Sequence, residues 1–190
     1  MDSPKSLQPV ILPPTTDRAS KLKATCHAFA KALESPPSPQ ELRSKFFTSS
    51  PKITEHGPEW ARNRLPFLAK TYSGSSEFVE YFKTLSEVLA MKPDPASASH
   101  QFAVQVDAFR ETEDEPQGNG HFRGSGLVFV QGGGEFKSVK TGKTGKSWKE
   151  TFIWKFSEFD QDGKIGHWEV WADPLSAWNA VNDGQAEAGA

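Results

Sequence analysis

The sequence predicts an α+β domain in which a curved antiparallel sheet wraps around helices that come first in the chain. Two observations carry this. Before residue 90 the apolar residues recur at intervals of three and four, as in Leu22, Cys26, Phe29 and Leu33, or Phe78, Phe82, Leu85 and Leu89, which is one face of a helix. After residue 100 they alternate, as in Phe102, Val104, Val106 and Ala108, or Phe152, Trp154 and Phe156, which is one face of a strand. A chain of 190 residues is long enough for one domain that buries a sizeable core or encloses a small-molecule cavity.

Residues 1–16 are Pro-rich and read as a flexible arm, and residues 182–190 read as a small-residue tail, leaving residues 17–181 as the single domain. Pro36-Pro37 ends the first helix. Ser38-Pro39-Gln40-Glu41 is a capping box with proline at the first helical position, so a second helix carries Leu42 and Phe46 inward. PKITEHGP reads as a short strand ending in a turn, Phe67 to Tyr72 as extended chain, and Gly74-Ser75-Ser76 as the break before the longest helix, closed by Lys92-Pro93. The acidic ETEDEPQGNG turns the chain. HFRGSGLVFVQ, EFKSVKT, SWKETFIWKFSEF and KIGHWEVWA then follow as strands, the first two separated by Gly132-Gly133-Gly134.

Residues 158–169, EFDQDGKIGHWE, come close to a calcium-binding loop, with Glu158, Asp160 and Asp162 at alternate positions, Gly163 at the turn and Glu169 closing. Such a loop lies between helices. Both flanks here carry strand patterns, so Asp160 to Lys164 is expected as the polar turn of a hairpin.

With 22 basic against 24 acidic residues and an isoelectric point near 6.2, the chain has no overall field to recruit nucleic acid or an anionic membrane. Cys26 is the single cysteine, which excludes an internal disulfide and a Cys-rich metal site. The absence of a spanning apolar run or a secretory leader leads to the expectation of a cytoplasmic protein. Gly142-Lys143-Thr144 and Gly145-Lys146-Ser147 end like phosphate loops, yet Lys137 and Lys140 stand where each loop needs its first glycine. His167-Trp168-Glu169 lacks the cysteines of a zinc deaminase. No metal and no cofactor is expected. The aromatic share of 12% fits either a lined cavity or an aromatic dimer face.

The stretch TGKSWKETFIWKFSEFDQDGKIGHWEVWADPLSAW resembles the C-terminal hairpin of the SnoaL-like branch of the nuclear transport factor two-like superfamily, and ITEHGP and FLAKTYSGSSEFVEYFKTL resemble its earlier strand and central helix. The resemblance covers roughly residues 18–180. It implies a cone-shaped half-barrel whose mouth holds a small hydrophobic molecule, in a family that includes ketosteroid isomerases, polyketide cyclases, dehydratases and limonene epoxide hydrolases. Fold does not choose among these.

By the same resemblance Trp168 faces inward on the last strand, and the carboxylate of the epoxide hydrolases would fall at position 170. Val170 stands there and cannot activate water. Glu135 is the one acid near the disturbed Gly-rich register. His56 occupies the place of the general base of ketosteroid isomerase-like relatives, where an imidazole could move a proton next to a carbonyl. His27 is a candidate oxyanion donor and Asp107 a second acid. Phe152, Trp154 and Trp168 are expected to line the cavity, with Val170 beside them and Trp60 and Tyr72 at its mouth. The same aromatic residues also fit plain core packing, and His56 also fits a surface turn. Trp171 and Trp178 are expected on the outer sheet face, where many relatives of this fold dimerise. The expected activity is therefore isomerisation, cyclisation or loss of water on a small polyketide- or terpenoid-like metabolite. The alternative is a non-catalytic binding or dimerisation module of the same fold.

Overall fold

The computed structural model of the chain describes residues 15–93, 101–106, 126–139 and 146–181. Most of the expected arm, the tail over residues 182–190, and Asp107 lie outside the described residues. Helices α1 (Thr15–Ala32) and α2 (Pro39–Phe46) come first, followed by β1 (Phe47–His56), a 3-10 turn (Glu59–Asn63), β2 (Lys70–Ser73) and α3 (Gly74–Ser86). Strands β3 (Leu89–Pro93), β4 (Gln101–Gln105), β5 (Leu127–Ser138), β6 (Ser147–Ser157) and β7 (Ile165–Trp171) complete the sheet, and α4 (Pro174–Ala180) follows it. The fold is the expected α+β half-barrel: a strongly curled sheet, ordered β2-β1-β7-β6-β5-β3 with β4 also on β5, around helices.

Local chemistry sets several of these boundaries. Ser38 Oγ accepts from the Glu41 N–H while the Glu41 carboxylate accepts from the Ser38 N–H, so the capping box starts α2. Asp173 Oδ1 accepts from the N–H groups of Leu175 and Ser176, which starts α4. The hairpin turn forms at Asp160 to Lys164. Asp160 N–H donates to the Lys164 carbonyl, Lys164 N–H donates to Asp160 Oδ1, and Gly163 supplies a φ of +78°. Arg18 and Lys21 of α1 donate to the carbonyls of Asp160 and Gln161, and Lys52 pairs with Glu158 at 2.9 Å. Two of the turn's carbonyls and the Glu158 carboxylate are thus engaged by the protein's own cations. Calcium is therefore expected to leave the melting temperature unchanged in a thermal shift assay; a saturable rise at micromolar calcium, lost in Asp160→Ala, would restore the calcium loop.

Three expectations are corrected. The sheet is mixed, because β1 runs parallel to β7, with Ile53 opposite Trp168 and Glu55 opposite Val170. Alternation sets which face a strand buries, but not the direction of a partner far away in sequence. The three glycines do not interrupt a strand. The β5–β6 register runs without a shift from Val128 opposite Phe156 to Lys137 opposite Ser147, since glycine keeps its backbone donor and acceptor. Finally, α3 stops at Ser86, and Leu89–Pro93 is strand β3 paired with β5. Leu89 continues the helical spacing of Phe82 and Leu85, but it also opens an alternation with Met91, and the edge of β5 decides between them.

The core is aromatic. Phe29 of α1, fully buried, lies with its ring centroid 5.0–6.3 Å from those of Phe46, Phe47, Trp154, Phe156 and Trp168, mostly edge to face. One helical side chain thereby ties α2, β1, β6 and β7 together.

Candidate active site

Alternation along three neighbouring strands aims one set of side chains into the curl of the sheet. On β6 these are Trp148, Glu150, Phe152, Trp154 and Phe156; on β1 Ile53 and Glu55; on β7 Trp168 and Val170. Tyr81, Phe82 and Leu85 of α3 close the opposite side. Between them lies a cavity of about 390 Å³, within the range of small-molecule sites.

Acids in this mostly apolar wall define its chemistry. Glu55 is buried, and the Tyr81 hydroxyl donates to its Oε1 at 2.5 Å. Burial pushes the Glu55 carboxyl up to about 8; the Tyr81 bond opposes that shift and the charge of Glu150 adds to it. Burial also holds Tyr81 well above the ordinary phenol range, helped by the Glu55 charge, so Tyr81 stays a neutral donor. Near neutral pH, Glu55 therefore favours its carboxylic acid form. Glu150 accepts from the Trp148 indole N–H at 2.8 Å and from the backbone N–H of Asp173. Burial raises its carboxyl most, the Trp148 bond opposes that, and the Asp173 charge adds to the rise. Asp173, at the rim, is held below the usual range, first by the Ser176 hydroxyl at 2.6 Å and then by the backbone N–H groups it caps.

No protein-family model matches the chain, and no curated protein does. Solved structures do. An NTF2-like protein from Burkholderia xenovorans LB400 superposes with a TM-score of 0.58 at 13% identity, over 86% of this chain and 98% of that one. The chain has the nuclear transport factor two-like fold. A protein provisionally named a polyketide cyclase, from Xanthomonas campestris pv. campestris, superposes at 0.57 with 10% identity over 87% of this chain and 99% of its own. A provisionally named isomerase from Bacillus subtilis does so at 0.53 with 16% identity over 86% and 94%. At these identities the likeness carries the fold and no activity.

Within this nuclear transport factor two-like cone the structure places Phe152, Trp154, Trp168 and Val170 on the cavity wall. His56 borders the cavity, but its ring lies flat on Trp171, centroids 4.0 Å apart and planes 4° apart, and its Nε2 is 3.1 Å from the Glu169 carboxylate. Those partners belong to the outer sheet face, so the side chain turned inward at this corner is the preceding Glu55. His27 is exposed on α1, its ring centroid 5.9 Å from that of Phe102. Glu135 pairs in register with Lys149 and Lys92, on the face opposite the wall residue Phe136. Trp60 is exposed against Trp178, and Tyr72 is buried behind Tyr81 at 5.3 Å. Trp178 lies on α4, under the Arg64 guanidinium at 3.4 Å, and not on the sheet.

Glu55, Tyr81 and Glu150 were absent from the sequence-based candidates, yet each carries a signal. Glu150 shares the parity of Phe152 and Trp154, Glu55 that of Ile53, and Tyr81 lies three residues after Phe78 on the apolar stripe of α3. A polar side chain on an apolar face is the informative exception.

Proposed function

We propose that the chain is a cofactor-free proton-transfer enzyme that isomerises, cyclises or dehydrates a small apolar molecule of polyketide or terpenoid kind, with Glu55 as the proton carrier. The observation that carries this reading is the buried Glu55–Tyr81 pair on the wall of an apolar cavity. As an acid near neutral pH, Glu55 can give its proton to a carbonyl oxygen or a leaving hydroxyl. The carboxylate that remains keeps the Tyr81 hydroxyl as donor and can take a proton from a neighbouring carbon, which restores the acid. Apolar walls that exclude water make each transfer selective. Val170, directly opposite Glu55 across the strand pair, offers no second carboxylate to activate water. The names of the cyclase and isomerase neighbours agree with this reaction class.

The test uses 2-tetralone in D2O, with loss of its α-proton signal followed by NMR. Wild-type protein is expected to accelerate exchange. Glu55→Gln should lower the rate about a hundredfold or more while tryptophan quenching by the ketone persists. His56→Ala should stay within a few-fold of wild type. Full exchange by Glu55→Gln would remove the mechanism, and neither exchange nor quenching would favour a non-catalytic module.

The outer sheet face supports a homodimer as a further part of this proposal. Ile153 (45% exposed) lies in register with Trp171 (37%), and Phe129 (40%) continues the apolar patch beside Lys155. We expect sedimentation at micromolar concentration to give twice the 21.0 kDa of one chain, and Trp171→Glu to sediment as the monomer. A wild-type monomer would overturn the dimer.

A further inference from the structure

We propose that the cavity takes apolar molecules that carry a protonated nitrogen, held by Glu150 with Asp173 at the rim, and turns carboxylates away. This rests on the reading of the cavity as a ligand site. Among the described residues of its wall the acids are Glu55, Glu150 and Asp173, and none is a lysine or arginine. His56 also borders the cavity, but its ring is committed to Trp171 and Glu169.

Two acids on the outer face and the hairpin turn meet cations directly. Glu169 meets Lys155 at 2.6 Å and His56 at 3.1 Å, and Glu158 meets Lys52 at 2.9 Å. Glu150 and Asp173 form no ion pair among the described residues. Glu150 receives one indole N–H and one backbone N–H, which leaves part of a carboxylate's roughly four lone-pair positions unused. The charge of Asp173 works against that of Glu150, and a positive ligand group between them would relieve that repulsion. Trp154, Trp168, Phe82 and Phe152 line the same space, and aromatic faces attract cations. An anionic ligand would bring a further negative charge to a wall whose described residues offer no lysine or arginine to meet it.

Three probes of one skeleton separate these effects: 1-naphthylmethylamine, 1-naphthylmethanol and 1-naphthaleneacetate, titrated into the full chain at pH 7 by calorimetry. The amine is expected to bind about tenfold or more tightly than the alcohol, because a hydrogen bond to a charged group contributes on the order of 1.5–3 kcal/mol. The alcohol should displace it, and the naphthaleneacetate should bind more weakly than either. Glu150→Gln should bring the amine down to the affinity of the alcohol. Asp173→Asn, which retains an oxygen to cap α4, should lower amine affinity several-fold and provides a second variant should the first fail to fold. Equal binding of amine and alcohol, or tightest binding of the naphthaleneacetate, would overturn the charge preference and leave the cavity standing as a ligand site. Binding of none of the three would overturn the cavity reading and the charge preference together.

Discussion

Glu55→Gln is expected to stabilise the protein in alkaline solution and to leave it nearly unchanged in acid. The folded carboxyl titrates at about 8 against an ordinary value of 4.5, so folding raises its affinity for the proton. Below the ordinary value both states are protonated, and the stability associated with this group is fully present. As pH rises from there towards 8 the unfolded chain gives up its proton while the folded chain keeps it. Stability therefore falls through this window and levels off above it. At about 1.36 kcal/mol per pKa unit the loss is on the order of 5 kcal/mol. Glutamine has no proton to lose and still accepts from Tyr81, so the difference between variant and wild type isolates this one group from Glu150, whose carboxyl is raised in the same direction. Urea unfolding at several pH values between 4 and 9 measures it. Parallel profiles for the two proteins would show that Glu55 titrates as an ordinary carboxyl.

Phe29→Ala is expected to cost about 3–5 kcal/mol, the range for deleting a buried phenylalanine whose neighbours close in only partly. Collapse is hard here. The five rings around Phe29 belong to α2, β1, β6 and β7, so none can fill the space without moving a strand or a helix, and interiors are close-packed. The expected fall in melting temperature is on the order of 10 °C. A loss under about 1 kcal/mol would mean that these rings repack and that α1 is less firmly docked than its burial implies.

The periodicities of 3.6 and 2 were enough to read the fold class, because they record which side of each element meets the core. They also led to Phe152 and Trp154, and the family resemblance to Trp168, and all three line the cavity. Periodicity could not supply the parallel pairing of β1 with β7, which depends on how the sheet curls and leaves no mark in either strand alone. Gly132-Gly133-Gly134 reads as a break because glycine weakens isolated strands, yet all three pair in register with β6, and β3 and β4 hold β5 on either side of them. On β1 the sequence-based candidate was displaced by one residue. Resemblance drew attention to His56, while the alternation of Ile53 and Glu55 turned the neighbouring carboxyl inward. Glu55, Tyr81 and Glu150 look like solvated helix or strand positions until the tertiary fold removes the water around them, and burial is what changes their chemistry.

The parallel contact between β1 and β7 also governs when the cavity can exist. His56 and Glu169, neighbours across that contact, are 113 residues apart in the chain, and closing so large a loop is slow compared with forming a hairpin or a helix. During synthesis the strand that carries Glu55 leaves the ribosome long before the strand that carries Val170 and Trp168. Until the later strand arrives, Glu55 has Tyr81 and β2 beside it but lacks its β7 neighbour. The raised carboxyl therefore depends on a contact between distant segments, and a nascent chain that ends before β7 carries Glu55 without the strand that faces it in the parallel pair.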